Sequence, residues 1–192
     1  MNTESQEYCV SKWAKAKSLK LVPLEQIPKA EEIREVPLDD LMDVFKICQK
    51  MEKVCRAEDG IGISAVQLGI PYKLFIVKGF QTKTEPQPLL SSKFSYFVNV
   101  NYVPISEKSL MSLEGCLSIR SLGGQLRHFQ VPRFPVITIT GHRLLFDIDL
   151  RLEKIQNLQL TVDDLSHVFQ HEIDHHCGIT IDQIGKELFL WQ

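Results

Sequence analysis

The sequence predicts an α+β fold: a single domain in which antiparallel strands pack around a central helix near the C-terminal end. Three observations carry that expectation. Runs rich in β-branched and aromatic residues, bounded by turn residues, recur between Tyr72 and Leu160. An amphipathic stretch of helical period precedes them, and a second helical stretch follows directly on the last strand. The chain has 192 residues, 44% hydrophobic and 24% charged, which is ordinary globular composition and enough for one core. The domain is expected over 19–192, behind a flexible extension over 1–18.

In chain order, the extension carries the mildly basic run Lys12-Trp13-Ala14-Lys15-Ala16-Lys17. It reads first as a solvated segment and second as a contact for a ribosome or an anionic surface. From Leu38 to Cys55, Leu41, Phe45, Cys48, Met51 and Cys55 recur at helical spacing and predict an amphipathic helix. Tyr72–Val77 predicts a strand, and residues 81 to 92, with Pro86 and Pro88, predict a loop. Strands are expected at 94–103, 134–140, 144–152 and 155–160, the last three forming a meander with short turns. Thr161 and Asp164 resemble a capping box, and Gly178 suits a left-handed position just past a helix end, so 162–177 is expected to be helical. His128, His142 and His176 have no partner pattern and are expected at the surface.

That last helix carries the chemistry. Residues 171–175 read His-Glu-Ile-Asp-His, and two histidines four apart share one helix face, where they can grip a divalent cation. Glu172 lies between them, only about 20° round the helix from Leu165 at 100° per residue, so it points toward the edge of the core. Burial there favours a neutral carboxyl and a nearby cation favours a charged one, the balance a general base needs near neutral pH. Chance alone gives such a run about once in a hundred chains of this composition. The run predicts metal-assisted hydrolysis.

A catalytic site of this kind takes three protein ligands and keeps one position open. No histidine follows His176, and the glutamate available downstream is Glu187, twelve residues past His175. A thiolate is the softer choice, from Cys9, Cys48, Cys55, Cys116 or Cys177. Cys48 and Cys55 share the apolar face of the first helix and read as small buried hydrophobes. Cys177 would point away from the histidine face. Cys116 stands out by its setting in Glu114-Gly115-Cys116-Leu117-Ser118, after a β-rich stretch, where the glycine lets backbone amides come close to whatever the sulfur binds.

Three separated segments, Gly60-Ile61-Gly62-Ile63-Ser64-Ala65-Val66-Gln67, Glu114-Gly115-Cys116-Leu117-Ser118 and Gln170-His171-Glu172-Ile173-Asp174-His175, resemble in sequence and order the signature motifs of the peptide deformylases. The resemblance spans roughly residues 20 to 187. It implies an α+β metallohydrolase that removes the formyl group from N-formylmethionine at the start of nascent polypeptides. By that resemblance Cys116, His171 and His175 hold the metal and Glu172 moves the proton. The Gln67 side-chain amide and the Leu117 N–H receive the developing oxyanion, while Gly60, Ile61, Gly62 and Gly115 line the substrate. Ferrous iron is the expected metal, with zinc, nickel or cobalt suited to the same ligands. Asp174 and Gln170 are candidates for supporting the ligands.

The chain departs from the family at Ser64, where an alanine is usual. It departs again at Arg120, where a proline is usual, and at Ser166 and His167, where relatives are apolar; these last predict a weaker preference for methionine. Gly60-x-Gly62-x-x-Ala65 also matches a dinucleotide fingerprint, but a helix pattern precedes it and a strand pattern follows, the reverse of what that fold requires. A net charge of −2 argues against a general nucleic-acid binder, and no segment is apolar enough to span a membrane. Five cysteines without a secretory leader favour a reducing, cytoplasmic setting. Two other functional classes compete: a zinc metalloprotease using Glu187 or Cys177 as third ligand, and a non-catalytic, ribosome-associated relative.

Overall fold

The computed structural model describes residues 10–39, 41–80, 93–146 and 152–188. The expected loop over 81–92 and Cys9 lie outside them. Where weak order was expected, residues 10–15 form a helix, α1 (Val10–Lys15), whose Val10 and Ala14 are buried. It packs on α2 (Leu41–Ala57), which fulfils the amphipathic reading: Leu41, Val44, Phe45, Ile47, Cys48, Met51 and Cys55 form its buried face.

A five-stranded antiparallel sheet follows in the order β1 (Gly62–Ser64), β2 (Leu74–Lys78), β3 (Phe94–Pro104), β6 (Ile137–Phe146), β7 (Leu152–Val162). A second sheet joins β4 (Leu110–Arg120), β5 (Leu126–Arg133) and β8 (Lys186–Leu188). The last helices are α3 (Ser166–His176) and the single turn α4 (Ile181–Ile184).

β2 explains how these parts stack. It is apolar on both faces, unlike a strand with one wet side. Leu74 and Ile76 join Cys48, Met51 and Cys55 of α2 in one core. Their neighbours Phe75 and Val77 face the other way and join Phe97, Phe169 and Ile173 in a second core against α3. Phe169 meets Phe75, Phe80 and Phe97 edge-on at centroid distances of 4.9–5.6 Å, a geometry that adds to simple burial. The metal-motif helix is thus central, clamped between the large sheet and β5.

Two expectations shift. The three strands expected after residue 134 are two long ones, because 141–143 continue β6 instead of turning. Gly141 makes this possible at φ +144°: a Cβ there would lie 2.6 Å from the Asn99 carbonyl oxygen, where β3 bulges. Similarly, α3 starts at Ser166, not 162, because β7 keeps pairing with β6 through Val162 and the ladder outcompetes the Thr161 cap. Its end is as expected, with Gly178 left-handed at φ +70°.

Candidate metal centre and cleft

α3 brings His171 and His175 to one face, with ring centroids 5.0 Å apart. β4 brings Cys116 opposite them, fully buried. One ligand atom from each of the three lies within 4.8 Å of the others, the only such group of three among the described residues. Cys116 Sγ is 3.4 Å from His175 Nε2. This is the soft, mixed sulfur and nitrogen donor set that suits iron, zinc, nickel or cobalt.

Electrostatics fit a cation between them. Burial disfavours a charged His171, yet hydrogen bonds to Cys116 and Glu114 outweigh it and raise its pKa to about 10. A cation in the cluster would take the place of that proton. His175 is held well below the ordinary histidine range by burial and by His171 and His176, leaving the neutral imidazole a ligand must be.

A buried relay fixes the first histidine. Glu114 Oε2 accepts from His171 Nδ1 at 3.0 Å, leaving the other ring nitrogen for the cluster. Arg133 clasps Glu114 with two bonds, of 2.8 and 2.9 Å, and extends a third to Asp174. Burial pushes the Glu114 pKa up, but the bonds from His171 and Arg133 win and hold it at about 2. Asp174 therefore supports the ligands through Arg133. Gln170 instead ties α3 to the backbone of Phe134, accepting from its N–H at 3.0 Å and donating to its carbonyl at 2.8 Å.

Neither Arg133 nor the structural role of Glu114 was anticipated. A signal existed: Phe129, Val131 and Arg133 alternate with exposed residues along β5, so the arginine falls on the inward face.

Glu172 lies beside the cluster in a buried slot, and its Oε2 has no hydrogen-bond partner. Burial is the largest cause raising its pKa, to about 7. Gly62 creates the slot, since a Cβ there would sit 2.5 Å from Glu172 Oε1. At Gly60 the same space is taken by Cys55 Sγ and Leu117 Cδ1, at 2.9 and 3.0 Å. The glycines thus admit neighbouring side chains as well as lining the cleft.

Gln67 is locked in orientation. Its Oε1 accepts from the Ser64 N–H at 2.9 Å, so its Nε2 faces Cys116 Sγ at 3.4 Å and Ser118 Oγ at 3.1 Å. Ser64 turns its own hydroxyl away, 3.5 Å from the Leu74 carbonyl.

A cleft of about 220 Å³ opens over these groups, with Gly60, Ile61, Gly62, Gln67, Gly115 and Leu117 in its walls. Leu113, Leu126 and Val168 supply apolar surface, and His128 and His167 add imidazoles. Ser166 is buried elsewhere in the fold. Two of the expected surface histidines are placed otherwise: His128 is half-buried in this wall, and His176 packs in the core against Phe75, 3.4 Å from the Leu74 carbonyl. Their positions on β5 and on the inner side of α3 put them there. His142 is bonded to Asn157.

The competing third ligands are absent from the cluster. Glu187 sits on β8 in a two-bond pair with Arg127, at 2.7 and 2.6 Å, and Cys177 is exposed past the end of α3.

Residues 27–188 match the family model described as polypeptide deformylase. A peptide deformylase of Rhizobium meliloti is 30% identical over 145 residues, covering 75% of this chain and 72% of that protein. Among solved structures, a probable peptide deformylase from Synechococcus phage S-SSM7 superposes with a TM-score of 0.66 at 26% identity, over 87% of this chain and 99% of that one. The peptide deformylase of Thermotoga maritima gives 0.64 at 18% identity, over 88% and 98%.

Proposed function

The chain belongs to the polypeptide deformylase family, and from that premise we infer that it hydrolyses the N-formyl group from N-formylmethionyl peptides and releases formate. The observation that carries this reading is the convergence of Cys116, His171 and His175, from β4 and α3, beside an unpaired, buried Glu172.

Roles follow from position. Cys116, His171 and His175 would hold a divalent cation, ferrous iron by our choice, which would supply Lewis acidity near neutral pH. Glu172, with a pKa near 7, takes the proton released on attack and returns it to the departing amine. Gln67 Nε2, already fixed by Ser64, and the Leu117 N–H donate to the oxyanion. The small hydrogen of the formyl carbon fits where Gly60 and Gly62 let backbone come close to the substrate, and acetyl is refused by size. The apolar surface of Leu113, Leu126 and Val168 receives the methionine side chain. Cys116 must stay reduced to serve as a thiolate ligand, which a reducing compartment such as the cytoplasm provides. Lys12, Lys15 and Lys17 are exposed on and just after α1 and are available for ribosome contact.

The test is formate release from a formyl-Met-Ala peptide by anaerobically purified, iron-loaded protein. Metal-replete protein that releases no formate would overturn the reading. Metal content separates this from the protease alternative: Cys116→Ala should lose bound metal, whereas Glu187→Ala should keep it, as read by elemental analysis after desalting. The reverse pattern would favour the protease.

A further inference from the structure

The segment Cys116–Ile119 holds both a metal ligand and a donor to the oxyanion, yet the sheet does not hold it. β4 pairs regularly with β5 up to Gly115 opposite His128, and pairing resumes only at Arg120 opposite Leu126. Four residues of β4 therefore face a single residue of β5, and their backbone leaves the regular ladder. Something other than strand pairing must fix this bulge.

Arg120 is placed to do so. Its Nε donates to the Leu117 carbonyl at 3.3 Å, across the bulge. Its Nη1 donates to the Gly124 carbonyl at 2.8 Å, in the turn joining β4 to β5. Its Nη2 reaches Glu58 at 2.5 Å, in the segment that leads from α2 to Gly60 and the opposite wall of the cleft. A single guanidinium thus joins the bulge, the turn and the facing wall. Only a rigid fork of several donors can do this; an ammonium on a flexible stem cannot meet all three at once.

We propose that Arg120 is a positioning residue that holds the Leu117–Ser118 peptide by its carbonyl against both walls of the cleft, and through it limits the play of the adjoining Cys116–Leu117 unit, so that the Leu117 N–H stays where negative charge develops. The pair with Glu58 is about one-third exposed on each side and contributes little to stability as a surface ion pair. Its effect is on geometry, and small displacements of a donor cost rate steeply.

The experiment compares wild type with Arg120→Ala, Arg120→Lys and Glu58→Gln, all iron-loaded, in formate release and in hydrogen exchange of peptides covering 116–125. The rate arm rests on the deformylase reading; the exchange arm does not. Arg120→Ala should lower kcat by about tenfold or more with KM within about twofold and metal retained, and should speed exchange in 116–125. Arg120→Lys, which keeps the charge toward Glu58 but loses the fork, should behave like the alanine variant. Glu58→Gln should give a smaller loss. Wild-type kcat and exchange in Arg120→Ala would overturn the proposal. So would a rise in KM alone, which would make Arg120 a substrate contact, and so would full rescue by lysine, which would make charge alone sufficient. If the wild type releases no formate, the deformylase reading fails, and unchanged exchange in Arg120→Ala would still refute the tie.

Discussion

Replacing Glu172 with alanine should lower kcat for formate release by a factor of about 10² to 10⁴ while the metal stays bound. The carboxylate is not among the three ligand atoms, so its loss should leave the Cys116, His171 and His175 cluster intact. What disappears is the group that accepts a proton during attack and gives it back to the amine. Glu172→Gln keeps the size and buries no charge, so it separates proton transfer from packing: it should be as inactive as the alanine variant and at least as stable as wild type. A glutamine variant with more than a tenth of wild-type kcat would remove Glu172 from the role of base.

Replacing Arg133 with methionine should destabilise the protein by about 3–5 kcal/mol and weaken metal affinity by about 10- to 100-fold. The stability loss arises because Glu114 would be left buried without its two-bond partner; both side chains are almost fully inaccessible, at 5% and 4%. The affinity loss arises one step further in, because Glu114 orients His171. Urea unfolding of metal-free protein checks the first effect, and competition with a chelator the second. A change below 1 kcal/mol would mean that water reaches Glu114 readily and that the relay is not the closed unit described. Replacing Glu114 and Arg133 together by glutamine and methionine should cost less stability than Arg133→Met alone, since no charge is then stranded.

The difference between these two residues shows how far the sequence speaks. Glu172 was legible because a helix converts a spacing of four into a shared face, a local rule that needs no tertiary knowledge. The same rule exposed α2, and strict local pattern exposed β2 and β3. Cys116 was favoured by its setting but became the third ligand only through the motif resemblance, since nothing local brings β4 to α3. Arg133 was missed because its partners lie 19 and 41 positions away, and the pairing that unites them is long-range. The errors at the start of α3 and within β6 have one cause. Ladder pairing continued through residues whose local chemistry, a cap in one case and a glycine in the other, favours ending an element. Burial of His176 was likewise invisible, since an imidazole between two cores looks like any polar residue until the cores are placed.

The proposed metal ligands Cys116 and His175 are 59 positions apart. Between them run β5, β6 and β7, and beyond them β8 pairs back onto β5. Contacts of such long range are slow to form, because chain must be closed into loops before any of them stabilises it. A cation that bridges Cys116 and the two histidines would therefore close a long loop, and its binding is coupled to folding. A protein whose work lies at the first residue of other newborn chains gains its own site only after its chain has been made through α3.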